Sequence, residues 1–249
     1  MKIVAIVQAR MGSNRLPGKV LLDLEGEPLI QRVVDKVSCS KVDKVVVATT
    51  ENTNDDKLVE WCESNSISFF RGNEDNVLER FYECAKFFNA DVIVRVTSDD
   101  PFKDPIVINR AIDTLFDGKY DYVSNTIHPT FPEGVDIEVF TFDALKKCFN
   151  NAILDSEKEH VTPYIWKNNN DFSLYNFTYE ENLSSLRWTI DYKEDLDFSR
   201  AVYKQLKHKK CFSMKDVLSV LKQHPKLFDL QKSIVRNKGY IESVKGDCY

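Results

Sequence analysis

At 249 residues, 43% of them hydrophobic, the chain is long enough to bury one large core. Its net charge of −5 excludes a nucleic-acid binder held mainly by phosphate contacts. The absence of a long uncharged apolar run excludes a membrane-spanning helix.

In chain order, residues 2–8 form a continuous apolar run, the mark of a parallel strand buried on both faces. Leu29, Ile30, Val33, Val34 and Val37 then recur at helical spacing over 28–37. Residues 44–49 predict a second buried strand, 54–65 a helix, 68–71 a short third strand, 76–89 a helix, 91–97 a fourth strand and 105–116 a helix. This alternation implies a mostly parallel central sheet with helices on both faces. The second half changes character. Residues 135–141 alternate apolar and polar, as a half-exposed strand does. Helices are predicted over 142–149, 157–168, 194–207 and 214–223, and strands over 172–179 and 187–190. Lys207–Lys210 reads as a solvated basic turn, and the last dozen residues as a loosely held polar tail. No linker or repeat divides the chain. One domain over 1–249 is expected, with a first half (1–125) and a smaller second-half extension (126–249).

Six cysteines (Cys39, Cys62, Cys84, Cys148, Cys211 and Cys248) form no C-x-x-C pair and none lies at zinc spacing from a histidine. They read as reduced thiols. With no secretory leader pattern before the first apolar run, a cytoplasmic location is expected.

The loop after the first strand carries Arg10, Gly12, Ser13, Arg15, Gly18 and Lys19. It matches neither G-x-x-x-x-G-K-S/T nor G-x-G-x-x-G. Free backbone N–H groups beside mobile cations suit a polyphosphate. The plain alternative is a glycine-rich turn with solvated cations. Asp99 and Asp100 follow the fourth strand directly, where carboxylates can hold Mg²⁺. An Asp pair opening a turn before Pro101 is the alternative. Asp191 sits at the exit of the segment 187–190, while Glu194 and Asp195 fit the start of a helix. Arg71 and Arg80 flank a polar loop around Gly72 that can reach a base or ribose; the alternatives are an ordinary strand-to-helix loop and, for Arg80, a helix-surface salt bridge. Asp136 and Glu138 point to one strand face, and His160 can titrate near neutrality. A structural histidine is the alternative there.

The run Ala9-Arg-Met-Gly-Ser-Asn-Arg-Leu-Pro-Gly-Lys19 resembles the signature loop of the cytidylyltransferases that make CMP-activated acidic sugars, and of the related spore-coat polysaccharide (SpsF-type) branch. The segments around Asp99, Arg80, Asp191, Asp136–Glu138, Glu159–Tyr164 and Arg236–Tyr240 resemble the same branch. Ser98 and Tyr192 depart from the usual glycine and threonine.

The resemblance implies a Rossmann-like nucleotidyltransferase fold, with 1–125 as the nucleotide-binding half and 126–249 as the acceptor-binding, metal-completing and dimerisation half. It implies that Ala9, Arg10, Gly12, Ser13, Arg15, Lys19, Arg71 and Arg80 face CTP, and that Asp99 and Asp191 bind Mg²⁺. Asp136, Glu138 and His160 are expected on the side of a small polar acceptor, and a homodimer is expected. Arg15, Lys19, Asp99 and Asp191 are the candidate catalytic set. A glycosyltransferase using a ready-made nucleotide sugar is the rival reading, although a D-x-D motif is not evident. A non-catalytic nucleotide-binding module is a third.

Overall fold

The structure, a computed structural model, describes residues 1–13, 15–206, 208–209, 211–230 and 236–247. β1 (Ile3–Gln8) leads through a 3-10 turn at Lys19–Leu21 into α1 (Leu29–Ser38). Then come β2 (Lys44–Thr50), α2 (Asp56–Ser64), β3 (Ser68–Gly72), α3 (Val77–Phe87), β4 (Val92–Thr97) and α4 (Pro105–Gly118). The second half holds β5 (Tyr122–Ser124), β6 (Glu138–Thr141), α5 (Phe142–Asn151), α6 (Asp155–His160), α7 (Pro163–Lys167) and β7 (Leu174–Asn176). α8 (Lys193–Leu206), α9 (Met214–Gln223), a 3-10 segment (Pro225–Leu230) and α10 (Lys238–Gly246) follow.

The strands make one seven-stranded sheet in the order β3-β2-β1-β4-β6-β5-β7. The first four are parallel; β6 runs antiparallel to both β4 and β5. Alternate strand residues feed opposite cores. Ala5, Val47 and Val94 pack with α1, α2, α4, α8 and α9; Val4, Val46 and Ile93 pack with α3, α5 and α7. Each fully buried Val, Leu or Ile contributes about 1.5–3 kcal/mol, so this two-faced burial fixes the register. Gln8 pairs with Thr97 and with Ala48, so β1, β2 and β4 end at one level. The loops carrying Arg15, Lys19 and Asp99 therefore leave one edge of the sheet, where such folds bind ligands. Among the described residues no helix is long and apolar enough to cross a membrane.

Several expectations are corrected. Cys39 and Cys211 are joined in a disulfide across 172 residues, with Cα atoms 6.3 Å apart. They are not two of six reduced thiols; Cys62, Cys84 and Cys148 are free and buried, and Cys248 lies outside the described residues. The helix expected over 157–168 breaks at Val161, whose φ is +71°, and restarts at Pro163 as α7. Residues 187–190 join no strand of the sheet and make only a bridge between Arg187 and Glu133. The strands expected over 135–141 and 172–179 shorten to β6 and β7. The polar tail is helical over α10. Of the basic cluster, Lys207 and Lys210 lie outside the described residues, and Lys209 pairs with Asp216 at 2.6 Å.

Candidate active site

Gly18 turns the first loop in the left-handed region, at φ +68°, and delivers Lys19 inward. Met11 N–H anchors the same loop by donating to buried Asp55 at 2.6 Å. The Lys19 ammonium donates to Asp99 Oδ2 at 2.7 Å, to the Ile190 carbonyl at 2.8 Å and to Asp191 Oδ1 at 3.0 Å. Arg15 reaches Asp191 Oδ1 at 2.5 Å, and Arg187 reaches Asp191 Oδ2 at 2.7 Å. Segments far apart in sequence thus converge on one point. Ile190 N–H, donating to the Asp99 carbonyl at 2.9 Å, binds the two aspartate loops together.

Burial alone would raise the Asp191 pKa, but Lys19, Arg187 and Arg15 outweigh it and hold the carboxyl well below its usual range. Burial likewise opposes the charge on Lys19, yet Asp99 and Asp191 hold the ammonium more firmly protonated than usual. Asp195 accepts from the N–H groups of Asp191 and Tyr192 at 2.9 and 3.0 Å, so it serves the helix start, as expected.

Two carboxylates aimed at one positive point are the hard-oxygen donor set that Mg²⁺ takes, and Asp99 keeps a quarter of its side chain exposed. Among the described residues no group of three or more His, Cys, Asp or Glu is placed to hold a metal. The residues present fit a Mg²⁺ that draws its other ligands from phosphates and water.

Asp99 and Asp191 border a cavity of about 390 Å³ that Asp136, Glu138 and His160 also line. The structure therefore brings the expected metal and acceptor residues together. Glu138 is not a bare carboxylate. It stands opposite Arg95 in the sheet register and bonds it, and it accepts from Tyr122 at 2.7 Å and from Thr162. Burial would raise its pKa; Arg95, Thr162 and Tyr122 lower it instead. Asp136 is bonded by Arg236, and burial still pushes its carboxyl up to about 6. Burial lowers the His160 pKa, which keeps the ring neutral near pH 7.

Arg71 and Arg80 do not reach this cavity. Arg71 braces its own loop through Asp56 at 2.8 Å and the carbonyls of Thr50 and Asn52, both at 2.9 Å. Arg80 is 3% exposed and donates to the Asn73 carbonyl. Burial, with Arg10 nearby, lowers its pKa to about 10. Both border a second cavity of about 520 Å³ that includes Glu74. Arg10 lies 3.8 Å from Glu74, a residue of the second cavity's lining, while Arg15 of the same loop lines the first cavity. Ala9 is buried and bonded to Ala48, Ser13 Oγ accepts from Leu16 N–H at 3.3 Å, and a Cβ on Gly12 would meet nothing within 4 Å.

Sequence reasoning missed Arg187, Glu133, Arg95 and Lys103. Arg187 joins Glu133 at 2.7 Å while holding Asp191. Lys103, 2% exposed, pairs with Asp100 at 2.9 Å. The available signal was a charged residue inside or beside an apolar run, which packing alone does not explain. Gly134, at φ +100°, lets this segment touch: a Cβ there would sit 2.8 Å from the Trp188 carbonyl carbon.

A family model described as cytidylyltransferase matches residues 4–234. The chain belongs to the cytidylyltransferase family. It is 34% identical over 236 residues to the spore coat polysaccharide biosynthesis protein SpsF of Bacillus subtilis, covering 90% of this chain and 95% of that protein. A 3-deoxy-manno-octulosonate cytidylyltransferase of Trichlorobacter lovleyi is 40% identical over 114 residues, 45% of this chain and 44% of that enzyme. A solved cytidylyltransferase structure from Leptospira borgpetersenii superposes with a TM-score of 0.88 at 34% identity, covering 94% of this chain and 100% of that one. The family match does not favour the glycosyltransferase reading.

Proposed function

We propose that the chain is a Mg²⁺-dependent cytidylyltransferase that couples CTP to a small polar acceptor and releases pyrophosphate. The acceptor is a sugar, a sugar acid or a phosphorylated compound, and the product feeds surface-polysaccharide or glycan assembly. The observation that carries this reading is the meeting of Lys19 with Asp99 and Asp191, and of Arg15 with Asp191, where Arg15 and both aspartates line the cavity. The full-length likeness to the spore-coat protein supports the glycan setting. The likeness to the octulosonate enzyme covers under half of each chain, which supports a different acceptor.

An acceptor oxygen attacks the α-phosphorus in line with the departing pyrophosphate. Such a transfer needs positioning and charge neutralisation more than a protein nucleophile. Arg15 offers two parallel hydrogen bonds to phosphate oxygens, and Lys19 offers a point charge. Asp99 and Asp191 would hold Mg²⁺, which would supply Lewis-acid neutralisation of phosphoryl charge. Arg187, gripping Asp191 and Glu133, keeps the carboxylate aimed. Neutral His160 presents a hydrogen-bonding group, and an acceptor phosphate needs no general base. Dependence on CTP implies the cytoplasm; the Cys39–Cys211 bond is the observation that stands against that compartment.

A pyrophosphate-release screen tests the reading, with the four nucleoside triphosphates against acidic sugars and phosphorylated compounds. Release from CTP with one acceptor class, dependent on Mg²⁺, is expected. Transfer from a preformed nucleotide sugar without pyrophosphate release would make the rival glycosyltransferase reading the better one.

A further inference from the structure

One wall of the cavity beside Asp99 and Asp191 has no part in the proposed chemistry. It comes from α10 and the residues just before it. No residue of α10 is buried, so core packing does not explain its position. Polar contacts do, and their partners belong to the acceptor side. Arg236 bonds Asp136 and donates to the Phe131 carbonyl at 3.0 Å. Asn237 N–H donates to Glu133 at 3.2 Å. Ser243 Oγ lies 2.5 Å from Glu159 and 3.0 Å from His160 Nε2. Asp247 accepts from the Ser156 N–H and hydroxyl at 3.0 and 2.7 Å.

Clamped at both ends, this segment presents Asn237 and Tyr240 to the cavity. The Tyr240 ring stands edge-on to His160, with centroids 5.2 Å apart at 88°, and to Trp166, 5.7 Å apart at 69°. Three rings thus form one aromatic corner. Thr126 and Asn237 supply polar groups in the same cavity. The charges nearby are committed to partners: Arg95 to Glu138, Lys103 to Asp100 and Arg236 to Asp136.

We propose that Tyr240 and Trp166, with Asn237, form the wall that selects the acceptor, and that it selects a pyranose ring over an open-chain compound. A pyranose has an apolar face of C–H groups and a rim of hydroxyls. That matches an aromatic corner beside amide and hydroxyl groups. An open-chain polyol offers no flat face and loses more rotational freedom on binding. With the charges paired, shape and hydrogen bonding decide between acceptors rather than net charge. The inference rests on the cytidylyltransferase reading for the role of the occupant, but the wall can be tested without turnover.

The probes are 3-deoxy-manno-octulosonate and N-acetylneuraminate as rings, and glycerol 3-phosphate and ribitol 5-phosphate as open chains. Binding is followed by tryptophan fluorescence, with Trp166→Phe to identify the reporter, and CTP binding by calorimetry. A ring probe should bind the wild type more tightly than either open chain. Tyr240→Ala should weaken ring binding about tenfold or more, as for a truncated aromatic anchor, and Tyr240→Phe should restore most of it. Both variants should bind CTP like the wild type, which also establishes that they fold. Three results would overturn the proposal: no ring probe binds, Tyr240→Ala leaves ring binding unchanged, or it weakens ring and open-chain probes alike. Ring binding that depends on Tyr240 in a protein that fails to bind CTP would keep the wall and reject the cytidylyltransferase reading. CTP binding with no Tyr240 dependence would do the reverse.

Discussion

Lys19 and Asp99 stand 80 residues apart in the chain and 2.7 Å apart in space. Lys19 also donates to Asp191, so one ammonium bridges both carboxylates. If Lys19 serves phosphate, Lys19→Ala should weaken CTP binding far more than cytidine binding. A charge-assisted contact of this kind contributes about 1.5–3 kcal/mol, or roughly ten- to a hundredfold. Calorimetry with both ligands checks this, and equal losses would count against the phosphate role.

Asp99→Asn and Asp191→Asn should each lower turnover about a hundredfold or more, the scale of losing one group that stabilises transition-state charge. The two should differ in melting temperature. Asp191 holds Arg15, Lys19 and Arg187, whereas the Asp99 carboxylate meets Lys19. Asp191→Asn should therefore melt lower, because it strands more charge. Normal turnover with an unchanged Mg²⁺ requirement in both variants would remove the metal assignment.

Gly134→Ala tests the close approach behind Glu133. The new Cβ would press on the Trp188 backbone from a φ of +100°. A loss of about 1–3 kcal/mol is expected in urea unfolding. A loss no larger than that of an ordinary surface change, about 0.5 kcal/mol, would contradict the geometry.

Lys36 is 1% exposed, donates to the Phe212 carbonyl and lies over the Phe212 ring at 3.8 Å. Burial lowers its pKa from 10.5 to about 8. The unfolded chain thus holds more protons between those values, and stability should rise with pH across that window. The gain is complete above 10.5 and lost as pH falls through 8. Lys36→Met should abolish the slope and be more stable than wild type at pH 7, by at most about 3 kcal/mol. Unfolding curves at pH 7, 9 and 10 decide it; a slope of opposite sign would refute it.

The first half is legible because parallel strands buried on both faces leave apolar runs, as in β1 and β2. The Asp99–Asp191 meeting is legible from position, since both follow strand-like runs. What escapes the sequence depends on pairing through space. Arg187 looks like the start of a strand, yet its segment is held by Glu133 and Asp99 rather than by the sheet. The helix over 157–168 has good periodicity, but Val161 turns the chain and Thr162 reaches Glu138. Arg71 and Arg80 carry the charge a nucleotide wants, but whether a guanidinium faces a ligand or its own loop is decided by nearby carbonyls. β5 has only three residues, too few for a period to register.

The Cys39–Cys211 bond closes a covalent ring of chain in which β2 to β7 lie, leaving β1 and the Lys19 loop outside. A single protease cut inside the ring would leave both pieces linked, running as one band until a thiol splits it into two. A cut between Lys19 and Cys39 would instead sever the Lys19 loop from both aspartates with no covalent tether remaining. The backbone is thus insured on the side that carries the carboxylates and uninsured on the side that carries the cations.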